Sequence, residues 1–232
     1  MKRREFLTAG ISIAATSIVA SNTFSSVSFA ATSERPMQIL ALVFDDYETL
    51  DLHGPIEMLG HMKNVEIKLV GAKSIIRSYQ GPRVVTDLSL DSVTPCDLLI
   101  IPGGLGTRKL IEDQVLMRWL REQQKVSDKV FSICTGSALL AKAGVLDGVN
   151  ATTNKMAYNW VTSLSNKVNW QPSARWVDDG KYLTSSGVSA GIDAALFYVE
   201  QLRGKSEAKR IQALTEYHWN DDATNDPYAV ET

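Results

Sequence analysis

Three short, nearly continuous apolar runs constrain this chain more than any other feature. They are Gln38-Ile-Leu-Ala-Leu-Val-Phe44, Asp97-Leu-Leu-Ile-Ile101 and Val130-Phe-Ser-Ile133. Runs of this length without alternation fit strands covered on both faces, not strands with one wet side. Val65-Glu-Ile-Lys-Leu-Val70 alternates and reads as a half-buried strand. Helical patterns lie between and after the runs. Asp113 is placed to N-cap a helix carrying Leu116, Trp119 and Leu120. Ile192, Ala195, Leu196, Val199 and Leu202 keep helical spacing, and Ala208, Ile211 and Leu214 continue in a last helix. Strands alternating with helices predict an α/β fold, a mostly parallel sheet with helices on both faces. Short strand-like pieces around Gly81-Pro82, within 71–95, predict a small hairpin. The polar end of the chain, about 218–232, predicts an irregular surface tail.

The first thirty residues read as an address. Lys2, Arg3 and Arg4 precede a weakly apolar run over 6–20, and Ser28-Phe29-Ala30 puts small residues where a signal peptidase reads. The run is too short for a spanning helix of about 20 apolar residues. Arg3-Arg4 followed by Glu5-Phe6-Leu7 resembles a twin-arginine export signal. The expected mature protein is therefore 31–232, one domain, periplasmic or secreted, with no membrane attachment after cleavage. In the whole chain 24 Lys and Arg face 26 Asp and Glu; removal of residues 1–30 leaves 21 against 25. That balance excludes a nucleic-acid binder whose affinity rests on phosphate neutralisation. With 44% hydrophobic and 22% charged residues, wholesale disorder is excluded too.

In such sheets reactive groups gather beyond the carboxyl ends of the strands. The run 130–133 is followed by Cys134-Thr135-Gly136-Ser137 and then a helical stretch. Strand, small-residue turn and helix place Cys134 on a nucleophile elbow. A helix N-terminus there favours thiolate, so a pKa below the free value of about 8.5 is expected. The first strand leads to Asp51, set between Leu50 and Leu52, as if partly withdrawn from water. Burial raises a carboxyl's pKa and fits it to share a proton with a thiol; the structural alternative is an N-cap for a helix starting at Gly54-Pro55. The third turn, Pro102-Gly103-Gly104-Leu105-Gly106, bares backbone N–H groups and reads as an anion-stabilising or a purely structural turn. It is no phosphate loop, because Arg108 stands where that pattern needs Gly. Ser186-Gly187-Val188-Ser189-Ala190-Gly191 forms a second small-residue turn, with Gly187 walling the pocket.

Cys96 opens one strand while Cys134 closes its neighbour, some 17 Å away along the sheet, beyond the 7 Å reach of a disulfide. Cys96 is read as core filling. The three histidines, His53, His61 and His218, are scattered, so no metal site is expected. A Cys-His-Asp arrangement requires His53 to reach the sulfur.

At these residues the sequence resembles the ThiJ/PfpI superfamily, across about 37–217, and most of all its isonitrile hydratase branch. The matching stretches are Leu50-Asp-Leu-His-Gly-Pro55, Ile100-Ile-Pro-Gly-Gly104, Ser132-Ile-Cys-Thr-Gly-Ser137, Ala143-Gly-Val-Leu-Asp-Gly148, Ala151-Thr-Thr153 and Ala190-Gly-Ile-Asp193. The resemblance implies a flavodoxin-like sandwich and cofactor-free addition of water to a small isonitrile, giving an N-substituted formamide. It implies Cys134 as nucleophile and Asp51 as the acid that protonates the isonitrile carbon. Backbone N–H groups at Gly104 and Thr135 would hold developing charge, and a homodimer is implied. Asp51 and Thr135 stand where related peptidases and deglycases have Glu and, often, His. The chain departs from the hydratase pattern at His53, usually Thr and a pocket position, and at Asn154-Lys155, often His-Trp. The same pattern occurs in the sensor half of AraC-type regulators, but no helix-turn-helix length comes after it here. A non-enzymatic ligand-binding or redox-sensing module is the alternative function.

Overall fold

The computed structural model describes residues 35–230. The signal-like segment lies outside them. In chain order the elements are β1 (Met37–Leu42), α1 (Thr49–Gly60), β2 (Val65–Gly71), β3 (Ile75–Arg77), β4 (Arg83–Val85) and β5 (Leu88–Ser89). Then come β6 (Cys96–Ile101), α2 (Thr107–Leu110), α3 (Gln114–Gln123), β7 (Ser127–Ile133) and α4 (Gly136–Lys142). The chain continues through β8 (Asn150–Ala151), α5 (Tyr158–Thr162), β9 (Asn169–Trp170), β10 (Trp176–Asp179) and β11 (Tyr182–Ser185). It closes with α6 (Ala190–Arg203) and α7 (Lys205–Leu214).

Seven strands form one sheet in the order β10-β11-β7-β6-β1-β2-β5. Every neighbouring pair is parallel except β10 with β11. The apolar runs occupy the centre, where Ile39–Leu42, Leu98–Ile101 and Val130–Ile133 are buried. The β1-α1-β2 and β6-α3-β7 crossovers run in opposite directions from the middle of the sheet. Because such crossovers are right-handed, their helices fall on opposite faces. Accordingly α1 packs with α6, and α6 with α7, while α3 packs with α4. The reversal lies between β1 and β6, and at such a switch point the strand ends open a crevice.

The predicted hairpin is β3 with β4, antiparallel around Gly81-Pro82. Asp113 caps α3, accepting the N–H groups of Val115 and Leu116 at 2.9 and 3.1 Å. Both cysteines are free. Cys96 pairs in register with Ser127, at the far end of the strand that delivers Cys134, and its sulfur lies 3.2 Å from the Ser127 hydroxyl.

Two expectations need correction. The helix after β1 starts at Thr49, not at Gly54-Pro55, so Asp51 sits inside its first turn and does not cap it. The tail beyond residue 217 is irregular but fastened down. Trp219 and Asp226 are buried, and the Ala223 carbonyl accepts the Arg175 N–H at 2.8 Å. The fastener is a buried ion pair. Arg175 Nε donates to Asp193 Oδ2 at 2.8 Å, while Asp193 Oδ1 accepts the Tyr217 hydroxyl and the Asn220 N–H at 3.1 and 3.0 Å. A composition-based reading sees a polar tail; it does not see that an upstream ion pair supplies the tail's partners.

Candidate active site

Cys134 comes directly after β7 and has φ of +56°. A non-glycine residue pays roughly 1–2 kcal/mol for that left-handed backbone, so neighbours must hold it there. They do so at both ends of the residue. Its N–H is directed at the carbonyls of Ser185 and Ser186, at 3.2 and 3.1 Å. Its carbonyl accepts the hydroxyls of Ser137 and Thr153, each at 3.1 Å. The next turn is pressed against β6: a Cβ at Gly136 would collide with the Ile101 carbonyl. The result is an elbow that projects the sulfur beyond the sheet.

Asp51 reaches the same place from α1. It is fully buried, and its Oδ2 accepts the Gly103 N–H at 3.0 Å. Its carboxyl lies beside the Cys134 thiol, and each group shifts the protonation of the other. Burial is the leading cause that pushes the Asp51 pKa up to about 8. Oδ1 is buried and has no hydrogen-bond partner.

The thiol shifts in the opposite sense to the sequence expectation. Burial first, and then the adjacent Asp51, push Cys134 well above the ordinary thiol range. The Thr135 N–H and the Asn154 side chain beside the sulfur oppose this, but they do not offset the loss of water. A helix start raises thiolate only where solvent or a cation helps to carry the charge; Cys134 is 5% exposed.

A cleft of about 370 Å³ opens on the sulfur. Gly104, Thr135 and Asn154 line it, with Glu48, Arg108 and Met156 further round. Gly104 has φ of +129° and touches the Asp46–Glu48 backbone so closely that no side chain fits. Its N–H does not face the cleft unengaged: it donates to Thr135 Oγ1 at 3.0 Å. Thr107 Oγ1 ties the same turn together, donating to the Gly104 carbonyl at 2.7 Å. Gly187 lies under the Asn154 amide, which occupies the space a Cβ would need. The amide is fixed, since its Oδ1 accepts the Ala157 N–H at 2.9 Å.

His53 is not brought to the sulfur. Two residues after Asp51 on a helix, it points to the other side. It is exposed, with Nε2 3.1 Å from the Tyr47 hydroxyl, and it lines neither the cleft on the sulfur nor the larger one beside it. The Cys-His-Asp arrangement through His53 therefore falls. Among the described residues, no group of three or more His, Cys, Asp or Glu is placed to hold a metal ion. The clamps at Thr153, Ser185 and Ser186 are not singled out by the sequence as supports of the elbow. Their signal is a run of hydroxyl residues at a strand end, which carries little information by itself.

A parallel α/β sheet with a left-handed cysteine at one strand end, and a buried carboxyl beside it, defines a flavodoxin-like protein with a thiol–carboxyl site at its switch point. The DJ-1/PfpI family model matches residues 37–201, and the chain belongs to that family. It is 32% identical over 182 residues to isonitrile hydratase of Pseudomonas putida, covering 78% of each chain. Among solved structures it is similar to a ThiJ/PfpI family protein from Pseudomonas syringae, with TM-score 0.74 and 27% identity over 80% of this chain and 76% of that one. The fold also matches Drosophila melanogaster DJ-1beta, with TM-score 0.68 and 21% identity over 79% of this chain and all of that one.

Proposed function

We propose that this protein hydrates isonitriles, converting R–N≡C and water to R–NH–CHO, with Cys134 as nucleophile and Asp51 as proton carrier. The observation that carries the reading is the fully buried Asp51 carboxyl set beside the buried Cys134 thiol, with burial pushing the carboxyl's pKa up to about 8. At neutral pH both members of the pair are then protonated. An isonitrile carbon needs both a nucleophile and a proton, and a neutral acid beside a neutral thiol supplies both. Sulfur attacks the terminal carbon while Asp51 protonates it, and the thiol proton returns to the carboxylate. The product is a thioimidate, R–N=CH–S. Water then adds to that carbon, with Asp51 taking a water proton and delivering one to nitrogen. Collapse of the tetrahedral adduct breaks the C–S bond, and the hydroxyl proton goes back to sulfur. The Thr135 N–H and the Asn154 amide face the sulfur and steady the negative charge on it as it leaves.

The similarity to a named isonitrile hydratase supports the same reading. A redox-sensing module needs an accessible thiol of low pKa; the burial and upward shift of Cys134 count against it. The test is purified protein with a panel of alkyl and aryl isonitriles, following formamide formation. Turnover that disappears in Cys134→Ser, and falls at least about 100-fold in Asp51→Asn, is expected. Wild-type protein inert across the panel sinks the reading, and binding without turnover leaves a ligand-binding module. We further propose that residues 31–232 are exported and form a homodimer. Cell fractionation and light scattering test these points.

A further inference from the structure

Beside the Cys134 cleft lies a second one, of about 560 Å³, that no step above uses. Asn154, Met156 and Val188 line both, so the two adjoin. Leu50 from α1 and Tyr228 and Val230 from the fastened tail form further walls. The two clefts differ in charge. Glu48 and Arg108 stand on the wall of the first. Among the described residues the second has a single charged one, Lys155, whose ammonium is already bonded to Thr152 Oγ1 at 2.8 Å and to the Ala174 carbonyl at 2.7 Å. The rim of the second cleft is apolar and open to water: Met156 is 100% exposed and Tyr228 73%. Scattered apolar surface residues are ordinary, but a cluster of them around one cleft marks a binding surface.

We propose that this second cleft receives the hydrocarbon group on the isonitrile nitrogen, so that the enzyme selects bulky apolar isonitriles over small ones. The inference rests on the hydratase reading. The reacting carbon is terminal and carries no substituent, so selectivity has to come from whatever receives the group on nitrogen. Asn154 sits where the arms join and marks the point at which the substituent leaves the polar cleft.

The test compares kcat/KM for methyl, n-butyl, cyclohexyl and 2-naphthyl isonitrile. Burying a methylene favours binding by about fourfold, so cyclohexyl, with its extra carbons buried in the cleft, exceeds methyl by roughly 1,000-fold. Tyr228→Ala and Leu50→Ala each shrink that ratio about tenfold. A flat series, or a ratio unmoved in both variants, overturns the proposal. A second measurement does not depend on turnover: protection of wild-type Cys134 from iodoacetamide by the inert products. N-cyclohexylformamide protecting at concentrations at which N-methylformamide does not supports the apolar arm, even if no isonitrile is hydrated. Equal protection overturns it, even in an active enzyme. Slow peroxide oxidation of Met156 in ligand-free protein also overturns it, because another protein surface would then be covering the cleft.

Discussion

Asp51 meets Cys134 across the end of a strand that carries neither of them. Asp51 comes after β1, Cys134 after β7, and β6 lies between them in the sheet. The residue that ends the gap is Gly103, just beyond β6. Its N–H holds Asp51 Oδ2, and a Cβ on it would lie 2.5 Å from Thr135 N and 2.9 Å from that oxygen. Acid and thiol come side by side because the middle strand ends at a residue without a side chain.

Gly103→Ala is therefore expected to push Asp51 and the Thr135 turn apart while leaving the central strands in place. Displacements of about 1 Å at a reacting centre cost on the order of 100-fold, so kcat/KM falls by at least that much with little change in the thermal melt. Activity within a few-fold of wild type shows that the contact is not needed.

The pH dependence comes from the protonation of Asp51. An acid that titrates near 8 is competent below that value and lost above it. The kcat/KM profile between pH 5 and 10 is expected to fall as pH rises through about 8. A profile that climbs through the same range means that thiolate is the reacting form and that Asp51 is not the proton donor.

The same carboxyl links stability to pH. Its folded pKa, about 8, is raised above the unfolded value near 3.8. The folded state therefore holds the extra proton between these values. The resulting stability is full below about 4 and is lost as pH rises towards 8. Asp51→Asn, which never carries the buried charge, is expected to gain roughly 1–3 kcal/mol on wild type at pH 8.5 and much less at pH 5. Urea unfolding at the two pH values measures this; an advantage that does not grow with pH contradicts it.

Asp193→Ala leaves the Arg175 guanidinium buried without its main partner and takes acceptors from Tyr217 and Asn220. Removing one member of a buried pair costs about 3–5 kcal/mol. Limited proteolysis is expected to cut first after Tyr217, as the tail comes loose. Unchanged unfolding and cleavage would show that the tail is held by other contacts.

The sheet and both catalytic candidates are legible because central parallel strands announce themselves as unbroken apolar runs, and chemistry gathers just after them. Cys134 stands out directly after β7, and Asp51 in the first turn of the helix that follows β1. The direction of the thiol shift is not legible, since it depends on how much water reaches the sulfur, and spacing does not encode that. His53 shows the limit from the other side: it shares a motif with Asp51, yet helical geometry turns it away. Asn154 stands out as a departure from the family pattern, and its fixed amide beside Gly187 becomes visible only in three dimensions. The buried Arg175–Asp193 pair is illegible because Arg175 just before β10 and Asp193 inside α6 lie 18 residues apart, and the helical spacing of apolar residues does not reveal a polar partner outside the helix.

The left-handed backbone of Cys134 is gripped by residues that come later in the chain: Thr153, Ser185 and Ser186. A ribosome that has extruded the chain only as far as α4 has made the sulfur but none of these three supports. The nascent polypeptide thus carries an ordinary cysteine. The buried form beside Asp51 appears only once the segment through Ser186 has emerged and docked, so the pairing of acid and thiol is a late product of folding.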